Sequence, residues 1–347
     1  MKNLPIGDIA TKIKQIMLDA RQEAAVELSN RLLKTYWEIG CVIVEHEQGG
    51  KSKAEYGKQL ISQLSKTLSQ ELGRGFSRSN LQNMRNFYIA YPNLPVTTGK
   101  LTWTHYCELI YVSDADARAF YEQECINSRW SVRELKRQIE TSLFERLLMS
   151  DGKTNKETVL RLSREGIALN QPHDMLRSPY VFEFLGIKEQ KPILEKELER
   201  RLIRHIEDFL LELGRGFMFV GSQQRVTLGN VHHYVDMVFY NKILKAYVLI
   251  DLKKGDLRIE HAGQMNAYLN YYKTEVNDEG DNPPVGIILC KTSKDVVAEY
   301  ALGGLSNQVF ASNYVYYIPN KELLIEEVKA VLEQESDDNE VETDDKS

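Results

Sequence analysis

Apolar residues along the chain recur at two different periods, and the change from one to the other divides it. Through about the first 149 residues they return every three or four positions, as on an amphipathic helix. That spacing predicts helices over 9–35, 36–46, 56–72, 104–111, 115–127 and from 131 to 142 or beyond, with a further one ending near Ala90. A later helix is predicted from Leu194 to Leu213, where Leu202, Ile203, Ile206, Phe209, Leu210 and Leu213 form one stripe and Gly214 is a C-terminal stop. After it the pattern shortens to aromatic and β-branched runs: Tyr234–Tyr240, Tyr247–Ile250 and, following Pro283-Pro284, Val285–Cys290. Asn241-Lys242 is placed to turn the first two runs into a hairpin, and a helix from about Leu257 to Tyr272 precedes the third.

These elements predict an all-α N-terminal domain over 1–149 and a mixed α/β domain over 186–332. A connecting segment, 150–185, is expected where Asp151-Gly152-Lys153, Gln171-Pro172 and Ser178-Pro179 break the periodicity. Within 347 residues two domains can each bury a core. No apolar run approaches the ~18 residues of a membrane helix, and Met1–Pro5 leads into an amphipathic helix, not a secretory signal. Cys41, Cys107, Cys125 and Cys290 are scattered without a C-x-x-C pair, which predicts free thiols and argues against zinc. The expectation is a soluble cytoplasmic protein without a membrane partner.

Charge becomes informative once it is located. The net charge is −6, but residues 333–347 hold eight acids and one lysine, leaving the rest of the chain near neutral. That tail has little to bury and is expected to be disordered. Residues 51–100 carry eight Lys or Arg against two Glu, a candidate phosphate-facing surface. The same stretch has the organisation of a helix-turn-helix: Leu60, Leu64, Leu68 and Leu72 on one helix, a Gly73-Arg74-Gly75 turn, and a second helix capped by Ser77 or Ser79. This second helix is expected to expose Arg78, Asn80, Gln82, Asn83, Arg85 and Asn86, side chains suited to base edges. Arg74, Arg78, Gln82 and Arg85 are the candidate DNA contacts; an ordinary solvated helix in a bundle is the alternative.

Candidate chemistry lies at the strands. In Tyr247-Val248-Leu249-Ile250-Asp251-Leu252-Lys253, alternation puts Tyr247, Leu249, Asp251 and Lys253 on one face. A hairpin would bring Asp236 near Asp251, and two such carboxylates repel unless a cation lies between them. The pattern therefore suggests a Mg²⁺ site with a lysine beside it, Mn²⁺ being an expected substitute. The competing reading is a solvated strand end in which Asp251 and Lys253 neutralise each other. Glu199 projects onto the apolar stripe of its helix, where a carboxylate is costly unless paired or metal-bound; it is the candidate third acid, unless that turn simply meets water. Glu260, Gln264 and Tyr268 share a helix face that could meet a phosphate or a base, or be plain polar surface.

The order helix, strand, hairpin, strand ending in Asp-x-Lys, helix, strand resembles the PD-(D/E)xK nuclease superfamily, with Gln264–Tyr268 similar to the Q-x-x-x-Y element of its RecB-like members. Longer runs, Phe209–Phe217, Tyr234–Tyr240 and Gly286–Lys291, together with Gly73–Pro92 and Trp130–Leu135 in the N-terminal half, resemble the YhcG-type family of bacterial nucleases. Two positions depart from the superfamily pattern: Val235 stands where its name has proline, and Asp251 replaces the commoner glutamate. The resemblance implies an αβββαβ restriction-endonuclease-like domain behind a helical domain, and metal-dependent hydrolysis of DNA phosphodiester bonds. It implies Asp236, Asp251 and the Leu252 carbonyl as Mg²⁺ ligands, and Lys253 orienting the attacking water. It further implies Glu199 at a second metal or its water, Gln264 and Tyr268 steadying the substrate, and 5′-phosphate and 3′-hydroxyl products.

His232-His233 cannot both face Asp236 from one strand, and no Walker-type loop signals ATP use. Two functional classes stand: an active nuclease on DNA (duplex, branched or single-stranded), and a nucleic-acid-binding or assembly protein on a degenerate nuclease fold. The intact set of Asp236, Asp251 and Lys253 favours the first, and homo-oligomerisation is compatible with either.

Overall fold

The structure, a computed structural model, describes residues 6–49, 55–93, 100–150, 156–177, 179–187, 193–291, 308–318 and 325–326. The chain forms two compact units, Met1–Lys136 and Arg137–Ser347. The acidic tail lies outside the described residues.

The first unit is helical: α1 (Ile6–Gly49), α2 (Glu55–Glu71), α3 (Arg78–Ala90), α4 (Trp103–Leu109), α5 (Ala115–Ser128) and the start of α6 (Val132–Glu140). α1 is a single helix of 44 residues where two were expected: no proline interrupts the chain at Thr35-Tyr36, and the Thr35 hydroxyl donates back to the Arg31 carbonyl at 2.9 Å instead of capping a new helix. Its Gly40 is where α3 crosses: a Cβ there would stand 2.1 Å from the Met84 carbonyl oxygen. Ile43 of α1, Ile61 of α2, and Leu81 and Met84 of α3 form one buried cluster. Trp103 packs edge-on or tilted against Tyr36 and Phe87, and Trp37 against Tyr88.

The turn into α3 forms as expected, with Gly73 and Gly75 at φ 82° and 117°, conformations that side chains resist. Ser77 is the cap, its Oγ accepting from the Asn80 N–H at 3.2 Å. The expected exposure of the polar face of α3 needs correcting. Arg78 is exposed, but Asn80, Gln82, Asn83, Arg85 and Asn86 are half-buried. Asn80 accepts from the Trp103 indole at 2.8 Å, Asn83 from Tyr111 Oη at 2.8 Å, and Gln82 donates to Asn86 at 3.0 Å. Arg85 donates to both Glu47 oxygens at 2.7 and 2.9 Å. Packing against α1 and α4 supplied partners that helical periodicity does not show.

The second unit contains α7 (Leu143–Ser150), α8 (Lys156–Glu165), β1 (Tyr180–Val181), α9 (Glu195–Arg204), α10 (Ile206–Leu213), β2 (Phe217–Leu228), β3 (Val231–Asn241), β4 (Ala246–Leu252), α11 (Ile259–Tyr271), β5 (Val285–Cys290) and β6 (Val309–Val315). The six strands run in the order β1-β6-β5-β4-β3-β2. β2, β3 and β4 are antiparallel neighbours, while β4, β5, β6 and β1 are parallel. α11 makes the crossover that a parallel β4–β5 pair requires. It packs so close that a Cβ on Gly286 of β5 would meet Met265 Cγ at 2.4 Å. One face of the sheet buries Met237, Phe239, Val248, Ile250 and Leu252 under Leu198, Leu202, Phe209 and Leu213 of α9 and α10. The other buries Leu249 and Ile288 under Met265, Tyr268 and Leu269 of α11.

Three local expectations change. The helix predicted over 194–213 breaks at His205 (φ −109°, ψ 38°) into α9 and α10. The hairpin turn falls at 242–245, since Asn241 still pairs with Ala246 and its Oδ1 accepts from the Ile243 and Leu244 amides. The segment expected to connect domains, 150–185, carries α8 and the sheet strand β1, with Tyr180, Val181 and Phe182 at 0 % exposure.

That segment is fastened by charge. Glu212 at the end of α10 accepts from Arg146 at 2.6 Å, from the Val181 amide at 2.9 Å and from Arg137 at 3.2 Å, with Arg146 and Glu212 side chains fully buried. Burial works against the charge of Glu212, but the two guanidinium groups outweigh it and hold the carboxyl below its ordinary range.

Candidate active site

The site starts from strand register. β3 and β4 pair Met237 with Ile250, so one step further Asp236 and Asp251 stand opposite each other. Neighbouring Val248, Ile250 and Leu252 belong to the core under α9 and α10, which by alternation turns Asp251 toward the α11 side. Asp251 is 3 % exposed, and the Lys253 ammonium lies 2.7 Å from its Oδ2. Asp236 Oδ2 accepts from the Leu252 amide at 2.8 Å. The Asp236 carboxyl is pushed up to about 6, first by burial and then by the charge of Asp251, against the Leu252 hydrogen bond and Lys253. Burial would lower the Lys253 ammonium, but Asp251 foremost holds it above its usual range.

Glu199 of α9 is 7 % exposed and reaches this pair through a residue that the sequence did not single out. Gln223 Nε2 donates to Glu199 Oε2 at 2.9 Å and to Asp236 Oδ1 at 3.1 Å. In register it lies between the pairs Ser222↔Met237 and Gln224↔Val235, hence opposite Asp236. It does so at φ 48°, a left-handed conformation uncommon for a non-glycine residue inside a strand. Burial raises the Glu199 carboxyl; the Gln223 hydrogen bond opposes this and the Asp236 charge adds to it. No sequence period marks Gln223, because its place depends on the β2–β3 register. These groups open on a cleft of about 620 Å³ lined by Glu195, Lys196, Glu199, Arg200, Gln223, Asp236 and Lys253 among others.

Among the described residues no group of three or more His, Cys, Asp or Glu side chains is arranged to hold a metal ion. Asp236 and Asp251 form a pair, with Glu199 joined to it through the Gln223 amide. The donor set is oxygen only and short of positive charge, which suits a hard divalent cation better than zinc.

Residues 173–331 match the YhcG PDDEXK nuclease domain, and residues 12–146 match the DUF1016 N-terminal domain. The chain is 38 % identical over 350 residues to the "Putative nuclease YhcG" of Escherichia coli (strain K12), covering 91 % of this chain and 92 % of that protein. The chain belongs to the YhcG nuclease family. Its second unit has the PD-(D/E)xK, restriction-endonuclease-like fold. Solved structures with partial likeness include a repair endonuclease from Pyrococcus abyssi (17 % identity, TM-score 0.26, 38 % of this chain and 50 % of that one). Another is an EndoMS complex with double-stranded DNA (14 % identity, TM-score 0.25, 39 % and 51 %).

The remaining expected residues of this YhcG-family chain fall as follows. Gln264 and Tyr268 of α11 are hydrogen-bonded to each other, and Tyr268 Oη also reaches the Tyr234 carbonyl at 3.4 Å. Tyr268 is 1 % exposed, so it braces Gln264 and β3 from within the core, while Gln264 is only half-buried. Glu260 is exposed. His232 bonds Thr227 at 3.0 Å and His233 packs near Tyr268, leaving neither as a partner of Asp236. Arg74 and Arg78 are exposed, whereas Gln82 and Arg85 are engaged as described above. Cys125 and Cys290 are buried free thiols, and Cys41 and Cys107 are half-buried ones. No helix among the described residues is long and apolar enough to cross a membrane.

Proposed function

We propose that the protein is a Mg²⁺-dependent endonuclease that hydrolyses phosphodiester bonds of DNA, with Mn²⁺ able to substitute. The observation that carries this reading is the facing pair Asp236–Asp251 with Lys253 on Asp251 and too little positive charge for two carboxylates. Asp236, Asp251 and the Leu252 carbonyl would hold the cation. It would supply Lewis-acid activation of the phosphoryl group and of the attacking water. Lys253, tethered at 2.7 Å, presents its ammonium to the water and to the charge that develops on the phosphoryl oxygens. Water oxygen bonds to phosphorus as the P–O3′ bond breaks, and the departing oxygen takes a proton, giving a 5′-phosphate and a 3′-hydroxyl. Glu199 positions Asp236 through Gln223, and Gln264, braced by Tyr268, steadies the substrate. In the helical unit, exposed Arg74 and Arg78 are the side chains best placed to meet phosphates, since Gln82 and Arg85 already have partners.

The test is nicking of supercoiled plasmid in Mg²⁺ or Mn²⁺ against EDTA. Lys253→Ala should lower the rate by about 10³-fold or more while DNA binding stays within about twofold. Cleavage by the variant at the parental rate, or cleavage undiminished by EDTA, would refute the reading in favour of a nucleic-acid-binding protein on a degenerate nuclease fold.

A further inference from the structure

We infer that the face of α9 bearing Lys196, Arg200 and Arg204 is a track for the DNA strand, binding successive phosphates on one side of the scissile bond. The inference rests on the nuclease reading of the neighbouring site and adds to it where the substrate lies.

Four side chains of α9 are cationic: Lys196, Arg200, Arg201 and Arg204. Three of them line the 620 Å³ cleft together with Gln223, Asp236 and Lys253. The fourth, Arg201, does not line it and pairs with Glu197 at 3.0 Å. Lys196, Arg200 and Arg204 are spaced i, i+4, i+8, which stacks them on one face with a rise of about 6 Å per step. That step is comparable to the separation of successive phosphates along a nucleic-acid strand. All three are exposed, and Arg200 has a surface ion pair with Glu197 at 2.5 Å, a contact that contributes little. A phosphate would therefore have little existing interaction to displace.

The direction of the track follows from the anchors of α9. At its first turn Glu195 accepts from the Lys254 amide at 2.9 Å, and at Glu199 the Gln223 bridge reaches Asp236. The N-terminal half of α9 thus abuts the reactive carboxylates, and Arg204 lies further along. The acidic centre gives the track its purpose. Glu195, Glu199 and Asp236 in the cleft would repel a polyanion, and Lys196, Arg200, Arg204 and Lys253 offset them.

The experiment is binding of a fluorescently labelled DNA duplex in EDTA, which prevents cleavage, followed by anisotropy over a series of salt concentrations. The triple variant K196Q/R200Q/R204Q is compared with K242Q/K245Q/K273Q, which removes equal charge from exposed positions at the β3–β4 turn and after α11. The track variant should bind on the order of 10- to 100-fold more weakly at low salt, with a slope of log Kobs against log[salt] shallower by about 2 to 3. The control should stay within about twofold. Equal loss in both variants, or an unchanged slope in the track variant with its melting temperature preserved, overturns the inference. Because cleavage is not read, a protein that fails to cut plasmid but shows the expected loss keeps the track and refutes only the nuclease reading.

Discussion

A buried carboxylate and a half-buried one in the nuclease unit, Glu212 and Asp236, are treated in opposite ways by the residues around them. Glu212 receives two arginines and a backbone amide, and its carboxyl is held below the ordinary range. Asp236 receives a backbone amide and the neutral Gln223 amide, while the nearest cation, Lys253, is committed to Asp251. Its carboxyl is pushed up to about 6. The first group is complete without solvent and fastens α7, β1 and α10 together. The second is left short of positive charge at the mouth of a cleft, and that shortfall is what a divalent cation can make good. An under-compensated acid is a stability cost that a functional site retains.

Breaking the complete network should have the largest effect. Glu212→Gln removes the charge that buried Arg146 and half-buried Arg137 share and should cost about 3–5 kcal/mol in urea or thermal unfolding. A loss under about 1 kcal/mol would mean that the arginines find other acceptors. Its pH dependence has a definite sign: a depressed folded-state pKa gives stability present above the ordinary glutamate range and lost as pH falls through it.

Asp236→Asn should act with the opposite sign. A folded pKa of about 6, above the usual aspartate value, means that native stability declines as pH rises from about 4 toward 6. The asparagine variant escapes that decline. It should therefore melt higher than the parent at pH 7 without metal, by about 1 kcal/mol after allowance for partial solvent screening, and match it near pH 4. Saturating Mg²⁺ should raise the melting temperature of the parent and leave the variant unmoved, with cleavage lost. A variant less stable than the parent at pH 7 would contradict the picture of an under-compensated pair.

What the sequence made legible follows the same division. Val248–Leu252 is apolar enough to be read as a strand, and Asp251 and Lys253 interrupt that apolarity conspicuously. Glu199 was visible because it sits on the stripe of its own helix. β1 was not, since two residues carry no period, and β6 was not, since Ser312 and Asn313 dilute its apolar run. The polar face of α3 reads as open in the sequence because its partners, Glu47, Trp103 and Tyr111, lie far away in the chain. Local pattern tells which side of an element is polar; only tertiary packing tells whether that side is already satisfied.

The smallest effects should come from the neutral contacts that separate the two kinds of site. Gln223 offers its side-chain amide to both Glu199 and Asp236, and it holds a left-handed backbone to do so. Gln223→Gly relieves the backbone by about 1 kcal/mol but deletes a hydrogen-bond donor worth a similar amount, so its net stability should hardly change. Gln223→Leu keeps the strain and deletes the donor, and should cost about 0.5–1 kcal/mol. Comparing the two by denaturant titration separates conformation from contact. If both lose the same stability, the left-handed turn at Gln223 stores no strain. If neither differs from the parent, the amide bridge contributes nothing to holding Glu199 beside Asp236.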